Sequence, residues 1–161
     1  MTVSHNEYFI EKEQLPVEVT LVTGESLQGA LFVQPTWRRP SVEFDALVLL
    51  NLPDAYFPLQ LPNGSSRLLA KNHVVFIRGQ EVEDPTRSAD MGDPAHVVVK
   101  CSTGDVVQGT ILVTRVASNS RVLDFLNHSA EEFIPLLETN GSMLINRRHI
   151  VLVHDETDGT T

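Results

Sequence analysis

An internal repeat constrains this chain more than any other feature. Val17-Glu18-Val19-Thr20-Leu21-Val22-Thr23-Gly24-Glu25-Ser26-Leu27-Gln28-Gly29 recurs 80 residues later as Val97-Val98-Val99-Lys100-Cys101-Ser102-Thr103-Gly104-Asp105-Val106-Val107-Gln108-Gly109. Val17, Val19, Thr23, Gly24, Gln28 and Gly29 are identical in the second copy. Further on, the offset becomes 76: Leu47, Leu50, Asn51, Phe57, Leu61, Ser66, Leu68, His73 and Val75 match Leu123, Leu126, Asn127, Phe133, Leu137, Ser142, Leu144, His149 and Val151. The change of offset puts four extra residues in the first copy, near Pro35-Thr36-Trp37-Arg38-Arg39-Pro40. Surface loops absorb such insertions, so that stretch reads as a loop. A chain of 161 residues that repeats itself builds one medium domain or two very small ones.

Each copy reads mainly as β. Val17, Val19 and Leu21, and likewise Val97, Val99 and Cys101, alternate with more polar neighbours, the period of a half-buried strand. Gly24-Glu25 and Gly104-Asp105 signal turns, and alternation resumes over 27–34 and 107–114, which predicts a hairpin in each copy. Asn63-Gly64 and Asn140-Gly141 predict further turns, preceded by strands at 57–61 and 133–137. The final runs, Val74-Val75-Phe76-Ile77 and Ile150-Val151-Leu152-Val153, are apolar on both faces and ask for cover on both sides. Ser120 caps a short helix over 120–127, with Val122, Phe125 and Leu126 on one face. The matching stretch 41–51 fits helix or strand, and 53–57 and 129–133 suit one-turn helices. The predicted core is Val17, Val19, Leu21, Leu31, Leu50, Phe57, Leu68 and Phe76, with Val97, Val99, Cys101, Ile111, Leu126, Phe133, Leu144 and Leu152.

Charge separates the copies from what flanks them. Residues 1–15, 79–95 and 155–161 hold eleven acidic side chains against Lys12 and Arg87, which is the whole net charge of −9. Stretches 16–78 and 96–154 are each neutral. The expected organisation is an N-terminal segment 1–15, repeat 1 at 16–79, an acidic linker at 80–95, repeat 2 at 96–155 and a tail at 156–161. Acidic flanks keep a chain solvated, and the balance argues against a nucleic-acid binder, which usually carries a basic stripe. No apolar run approaches the roughly 20 residues of a membrane span, and the N-terminal sequence has no export signal. The single cysteine, Cys101, excludes an intrachain disulfide and fits a reducing compartment, so a cytoplasmic location is expected.

A module of about 60 residues with five short strands, Val-x-Val-x-Leu-x-x-Gly at its start and an apolar final hairpin resembles the Sm-like fold of the Sm and Hfq proteins. The residues that carry the resemblance are 17–29 and 68–77, then 97–109 and 144–153. It implies a mainly β chain: two tandem five-stranded Sm-like (SH3-like) small barrels with short helical turns. The two are related by a pseudo-twofold or a ring-like rotation, with Gly29, Asn51 and Phe57 equivalent to Gly109, Asn127 and Phe133. It also implies single-stranded RNA as a ligand, and here the chain departs from the family. Ile77-Arg78-Gly79 matches the family's Ile-Arg-Gly string, but at the exit of the last strand. The hairpin positions that correspond, 69–73 and 145–149, lack Arg-Gly, although Lys71 falls where the Hfq-type hairpin has a lysine. Asp124 and Asn127 are similar to the Asp and Asn of the first Sm motif, at a spacing one residue short.

Chemistry-bearing constellations are sparse. His5, His73, His96, His128, His149 and His154 are dispersed without ligand spacing, so no metal or cofactor is expected. His73 and His149 occupy equivalent turn exits and are expected to bond backbone. There is no nucleophile elbow, phosphate loop or dinucleotide fingerprint, Glu131-Glu132 reads as a solvated pair, and Cys101 reads as a small core residue. Trp37 with Arg38 and Arg39, together with Lys71, Arg147 and Arg148, are the candidate contacts for nucleic acid or an acidic partner. Val75, Ile77, Val151 and Val153 are the candidate interface. The sequence thus favours a non-catalytic assembly or adaptor module that takes a protein partner or self-associates through its final strands. The alternative is an Sm-type RNA-binding protein.

Overall fold

The computed structural model describes residues 13–33, 45–79, 93–113, 122–139 and 141–156. The alternating segments form the expected hairpins: β1 (Glu13–Leu21) with β2 (Ser26–Val33), and β6 (Asp93–Cys101) with β7 (Val106–Val113). Both turns close in the same way. Gly24 N donates to the Leu21 carbonyl and Leu21 N to that of Glu25, as Gly104 N does to Cys101 and Cys101 N to Asp105. Gly24 and Gly104 sit at φ +94° and +95°, a conformation that costs other residues a steric clash.

β3 (Tyr56–Gln60), β4 (Ser66–Ala70) and β5 (Val74–Gly79) complete the first half, with β8 (Phe133–Glu138), β9 (Gly141–Asn146) and β10 (Ile150–Asp155) completing the second. A 3₁₀ turn precedes each last strand, at Lys71–His73 and Arg147–His149. The ambiguous stretch resolves as helix α1 (Asp45–Leu50), and the capped stretch as α2 (Val122–His128). The one-turn helices expected at 53–57 and 129–133 do not form. The carbonyls of Ala55 and Glu132 instead accept from Lys71 N and Arg147 N, so the chain is already drawn out for β3 and β8.

All strands belong to one antiparallel sheet, ordered β10-β6-β7-β8-β9-β5-β1-β2-β3-β4. The order inside the first half, β5-β1-β2-β3-β4, is also the order inside the second, β10-β6-β7-β8-β9. The expectation of closed barrels is corrected: the sheet is open, because β5 pairs on one side with β1 and on the other with β9. The strand that would close a barrel is used to continue the sheet. Two apolar cores result, one on Val17, Val19, Leu31, Leu50, Phe57 and Leu59, the other on Val97, Val99, Cys101, Ile111, Ile134 and Leu136. Of the predicted core, Leu68 and Leu152 are exposed and Leu21 and Leu126 half-buried. β1 starts at Glu13 and β6 at Asp93, within the stretches read from sequence as N-terminal segment and linker.

The hairpin registers correct one equivalence. Tyr56 pairs Ala70 and Leu59 pairs Arg67, whereas Phe133 pairs Asn146 and Leu136 pairs Met143. The ladder from β8 to β9 closes at Glu138↔Gly141, leaving two residues in the loop. Between β3 and β4 it runs to Gln60↔Ser66, and Leu61 N then bonds the Ser65 carbonyl, leaving three. β3 therefore matches β8 at an offset of 77: the structural counterpart of Phe133 is Tyr56, and that of Phe57 is Ile134.

Gly29 and Gly109 show why both copies keep glycine in the second strand. A Cβ on Gly29 would lie 2.5 Å from the Gln60 carbonyl oxygen and 2.9 Å from Leu59 Cγ; on Gly109, 2.5 Å from the Leu137 oxygen and 2.8 Å from Leu136 Cγ. Backbone cannot yield such space cheaply. Gly109→Ala should cost about 1–3 kcal/mol in urea unfolding. An unchanged midpoint would mean that β7 and β8 do not approach this closely.

Candidate functional site: the strand junction

The junction between the halves is where side chains of different origin meet. β5 and β9 pair over Phe76↔Ile145, Ile77↔Leu144 and Arg78↔Met143. β5 is apolar on both faces, as its sequence requires. Val74 and Ile77 face the first core, while Val75 and Phe76 enter the second. In return Phe133 and Leu144, from the second half, lie in the first core. Burying each of these four exchanged side chains contributes about 1.5–3 kcal/mol.

Polar groups hold the register of this exchange. Asn146 is fully buried and uses both ends of its carboxamide. Its Nδ2 donates to the carbonyls of Lys71 (3.1 Å) and Val74 (3.0 Å), and its Oδ1 accepts from Arg148 N (3.0 Å). Asn51, just after α1, accepts at Oδ1 from the amides of Glu132 and Phe133, both at 3.1 Å, and its Nδ2 donates to the Phe133 carbonyl at 3.2 Å. His149 Nε2 donates to the Asn72 carbonyl at 2.6 Å, which leaves Nδ1 to accept from the Ser102 hydroxyl at 2.8 Å. His149 thus bonds backbone as expected; at His73 it is the main-chain carbonyl that accepts, from Val22 N. On the rim Arg78 meets Glu138 through two contacts of 3.2 Å and lies 5.2 Å over the Phe76 ring. A half-buried pair of this kind at the rim is worth about 1 kcal/mol, so it aligns the seam more than it binds it.

The candidate basic residues do not form one surface. Lys71 is buried, and its Nζ donates to the carbonyls of Leu49 (3.2 Å) and Leu52 (2.8 Å) at the end of α1. Burial holds its amine below the ordinary lysine value, against the opposing pull of Asp54 and Glu132. Arg147 does the same for α2, donating from Nη1 to the Leu126 carbonyl and from Nε to that of Glu131. Both side chains donate to carbonyls at or just beyond the helix ends, where the intrahelical ladder runs out. Arg148 lines a hollow of about 390 Å³ at the junction with Lys71, but Asp54, Glu131 and Glu132 line it too. Trp37, Arg38 and Arg39 lie outside the described residues.

The candidate interface residues divide in the same way. Val75 crosses the junction and Ile77 is buried in its own core. Val151 is exposed on β10, while Val153 packs on the second core. Cys101 is buried, and burial, reinforced by Asp105 and offset by Arg78, pushes its thiol up, away from the nucleophilic thiolate. Among the described residues no group of three His, Cys, Asp or Glu is placed to hold a metal ion, and no helix is long and apolar enough to cross a membrane.

Sequence reasoning missed Asn146 and treated Asn51 only as a repeat match. The available signal was an Asn amid apolar residues next to a β-rich run. Comparison with known proteins adds no relative: no family description, curated protein or solved structure matches the chain.

Phe133→Ala should cost about 3–5 kcal/mol, and unfolding followed in either half should move together, since this side chain of the second half fills the first core. Asn146→Ala should cost about 1–3 kcal/mol by removing three hydrogen bonds that the buried carboxamide makes to main chain, with the Lys71 and Val74 carbonyls and with Arg148 N. A Phe133→Ala variant that melts like the wild type would show that the ring does not bridge the halves.

Proposed function

We propose that this chain is a non-catalytic assembly module that binds protein by adding strands at the edges of its sheet. The observation that carries this reading is the β10 edge, where Val151 and Leu152 stand exposed although their counterparts in β5 are buried at the junction. An apolar strand edge is a template for another strand, and strand addition combines main-chain bonds with side-chain pockets. The duplicated small-barrel kinship inferred from the sequence supports the same reading, in the form of two open five-stranded halves sharing one sheet. Cys101, single and buried, supports a reducing, cytoplasmic setting.

Electrostatics supports a protein partner over RNA. Lys71 and Arg147 spend their donors on helix carbonyls, and the hollow that holds Arg148 carries three carboxylates. The larger groove, about 720 Å³ between β1, β2 and the β3 exit, has Arg78 and Glu18 as its charged lining. Neither offers the run of phosphate contacts that RNA affinity needs.

The test is a titration of fluorescent single-stranded RNA at physiological salt. No saturation is expected below roughly 10⁻⁴ M, the non-specific level. Micromolar binding that is lost when Arg38, Arg39 and Arg148 become alanine would replace the assembly reading with the RNA one.

A further inference from the structure

We propose that the groove on the outer face of the first half is a peptide-binding site. Its ligand is an extended segment of a partner protein that carries a lysine or arginine side chain. The site is separate from the sheet edges and stands whether or not those edges take a strand.

The groove follows from the strand plan. Leu15, Val17 and Val19 enter the first core, so alternation turns Gln14, Pro16 and Glu18 to the opposite face of β1. In β2 Leu31 enters the core, and Gln28 and Ala30 turn outward. Gln60, at the end of β3, pairs with Ala30, and Arg78 comes from β5. The hollow between them holds about 720 Å³, within the size range of ligand pockets. Gly29, Ala30 and Gly79 also line it, and residues this small let another main chain come close.

The polar groups in this groove are largely unspent. Gln14 Nε2 donates to Gln60 Oε1 at 2.7 Å, which leaves Gln14 Oε1 free to accept and Gln60 Nε2 free to donate. The carboxamide of Gln28 has no partner among the described residues, and neither has the half-buried carboxylate of Glu18. Arg78 stands directly opposite Glu18 in the ladder of β1 with β5, yet it turns to Glu138 across the seam. The groove thus offers one uncompensated negative charge beside several amide donors and acceptors. A peptide main chain brings one N–H and one C=O per residue to such amides, and a basic side chain answers the carboxylate. The net charge of −9 draws a cationic partner in. A phosphate chain fits poorly, because Glu18 repels it and no aromatic side chain lines the groove for a base to stack on.

The second half shows that the fold does not require this set. β1 and β2 pair over eight positions, and β6 and β7 pair over the same eight. Gln108 stands in the place of Gln28, but Pro94, Val98, Leu137 and His154 stand where the first half has Gln14, Glu18, Gln60 and Arg78. At the places of Pro16 and Ala30, His96 Nδ1 and Thr110 Oγ1 bond each other at 3.0 Å. The same backbone is therefore built with an outer face that lacks the carboxylate and two of the three carboxamides. Their presence in the first half serves something other than the strand ladder.

The test titrates the full chain with pools of heptapeptides that carry a central Lys, Gln or Glu between randomised uncharged flanks. Binding is read by fluorescence anisotropy and by the side-chain amide resonances of isotopically labelled protein. The Lys pool should saturate below about 1 mM and shift the resonances of Gln14, Gln28 and Gln60 while leaving Gln108 unmoved. The Glu pool should bind about tenfold more weakly or worse, because it meets Glu18 with like charge. Glu18→Gln should weaken the Lys pool about tenfold and erase its advantage over the Gln pool, with the thermal melt unchanged. Gln28→Ala should weaken the Lys and Gln pools alike. A Glu18→Gln protein that binds the Lys pool like the wild type overturns the proposal. So does a Lys pool that fails to saturate or that shifts only resonances outside the groove. Single-stranded RNA that moves the same three glutamines would make the groove a nucleic-acid site and would equally overturn it.

Discussion

The pairing of β5 with β9 is the constraint on which this architecture depends. Each strand is apolar on both faces, so neither can end a sheet without exposing one of them. Joining the two covers both faces of both strands and sends side chains across in each direction. Phe133 and Leu144 complete a core built by the first half, and Val75 and Phe76 complete one built by the second. The halves are accordingly not two finished domains in contact. Each lacks part of its interior until the other is present.

Polar chemistry at the seam then serves position more than energy. Asn146 and Asn51 bond main-chain groups where each strand is approached, in a setting where an unmet hydrogen bond of a buried group costs about 1–3 kcal/mol. Lys71 and Arg147 play parallel roles in the two halves, each tying off the carbonyls at the end of a short helix. Helices of six and seven residues have little stability of their own, and these donors fasten them to the turn before the last strand. The cations that look from sequence like ligand contacts are thereby part of the scaffold.

Much of the strand plan was legible in the sequence. Period-two alternation marked β1, β2, β6 and β7, and the recurring Gly24 and Gly104 marked their turns. What alternation reports is that a side chain is covered, not by what. Leu68 and Leu144 occupy equivalent positions and read alike, yet one is exposed and the other buried, because β4 has a neighbour on one side only and β9 lies between β8 and β5. The same holds for Leu152 against Phe76. The barrel expectation failed for a related reason: local pattern cannot say whether the free side of the last strand, beyond its pairing with the first, closes on its own half or continues onto the next. The mismatch of Phe57 with Phe133 arose from one residue of loop length after β3, which shifts a register without disturbing the apolar pattern. The junction residues were legible mainly where the copies differ, as at Ala70 against Asn146.

The central claim is that the seam is interior structure rather than a docking contact. Native-state hydrogen exchange of the β5 and β9 ladder amides tests it directly. If the cores are shared, these amides open only with global unfolding, at the same free energy as the β1·β2 and β6·β7 ladders. If the seam amides exchange through a lower-energy opening while both hairpins stay protected, the halves are independent domains and the shared-core architecture is contradicted.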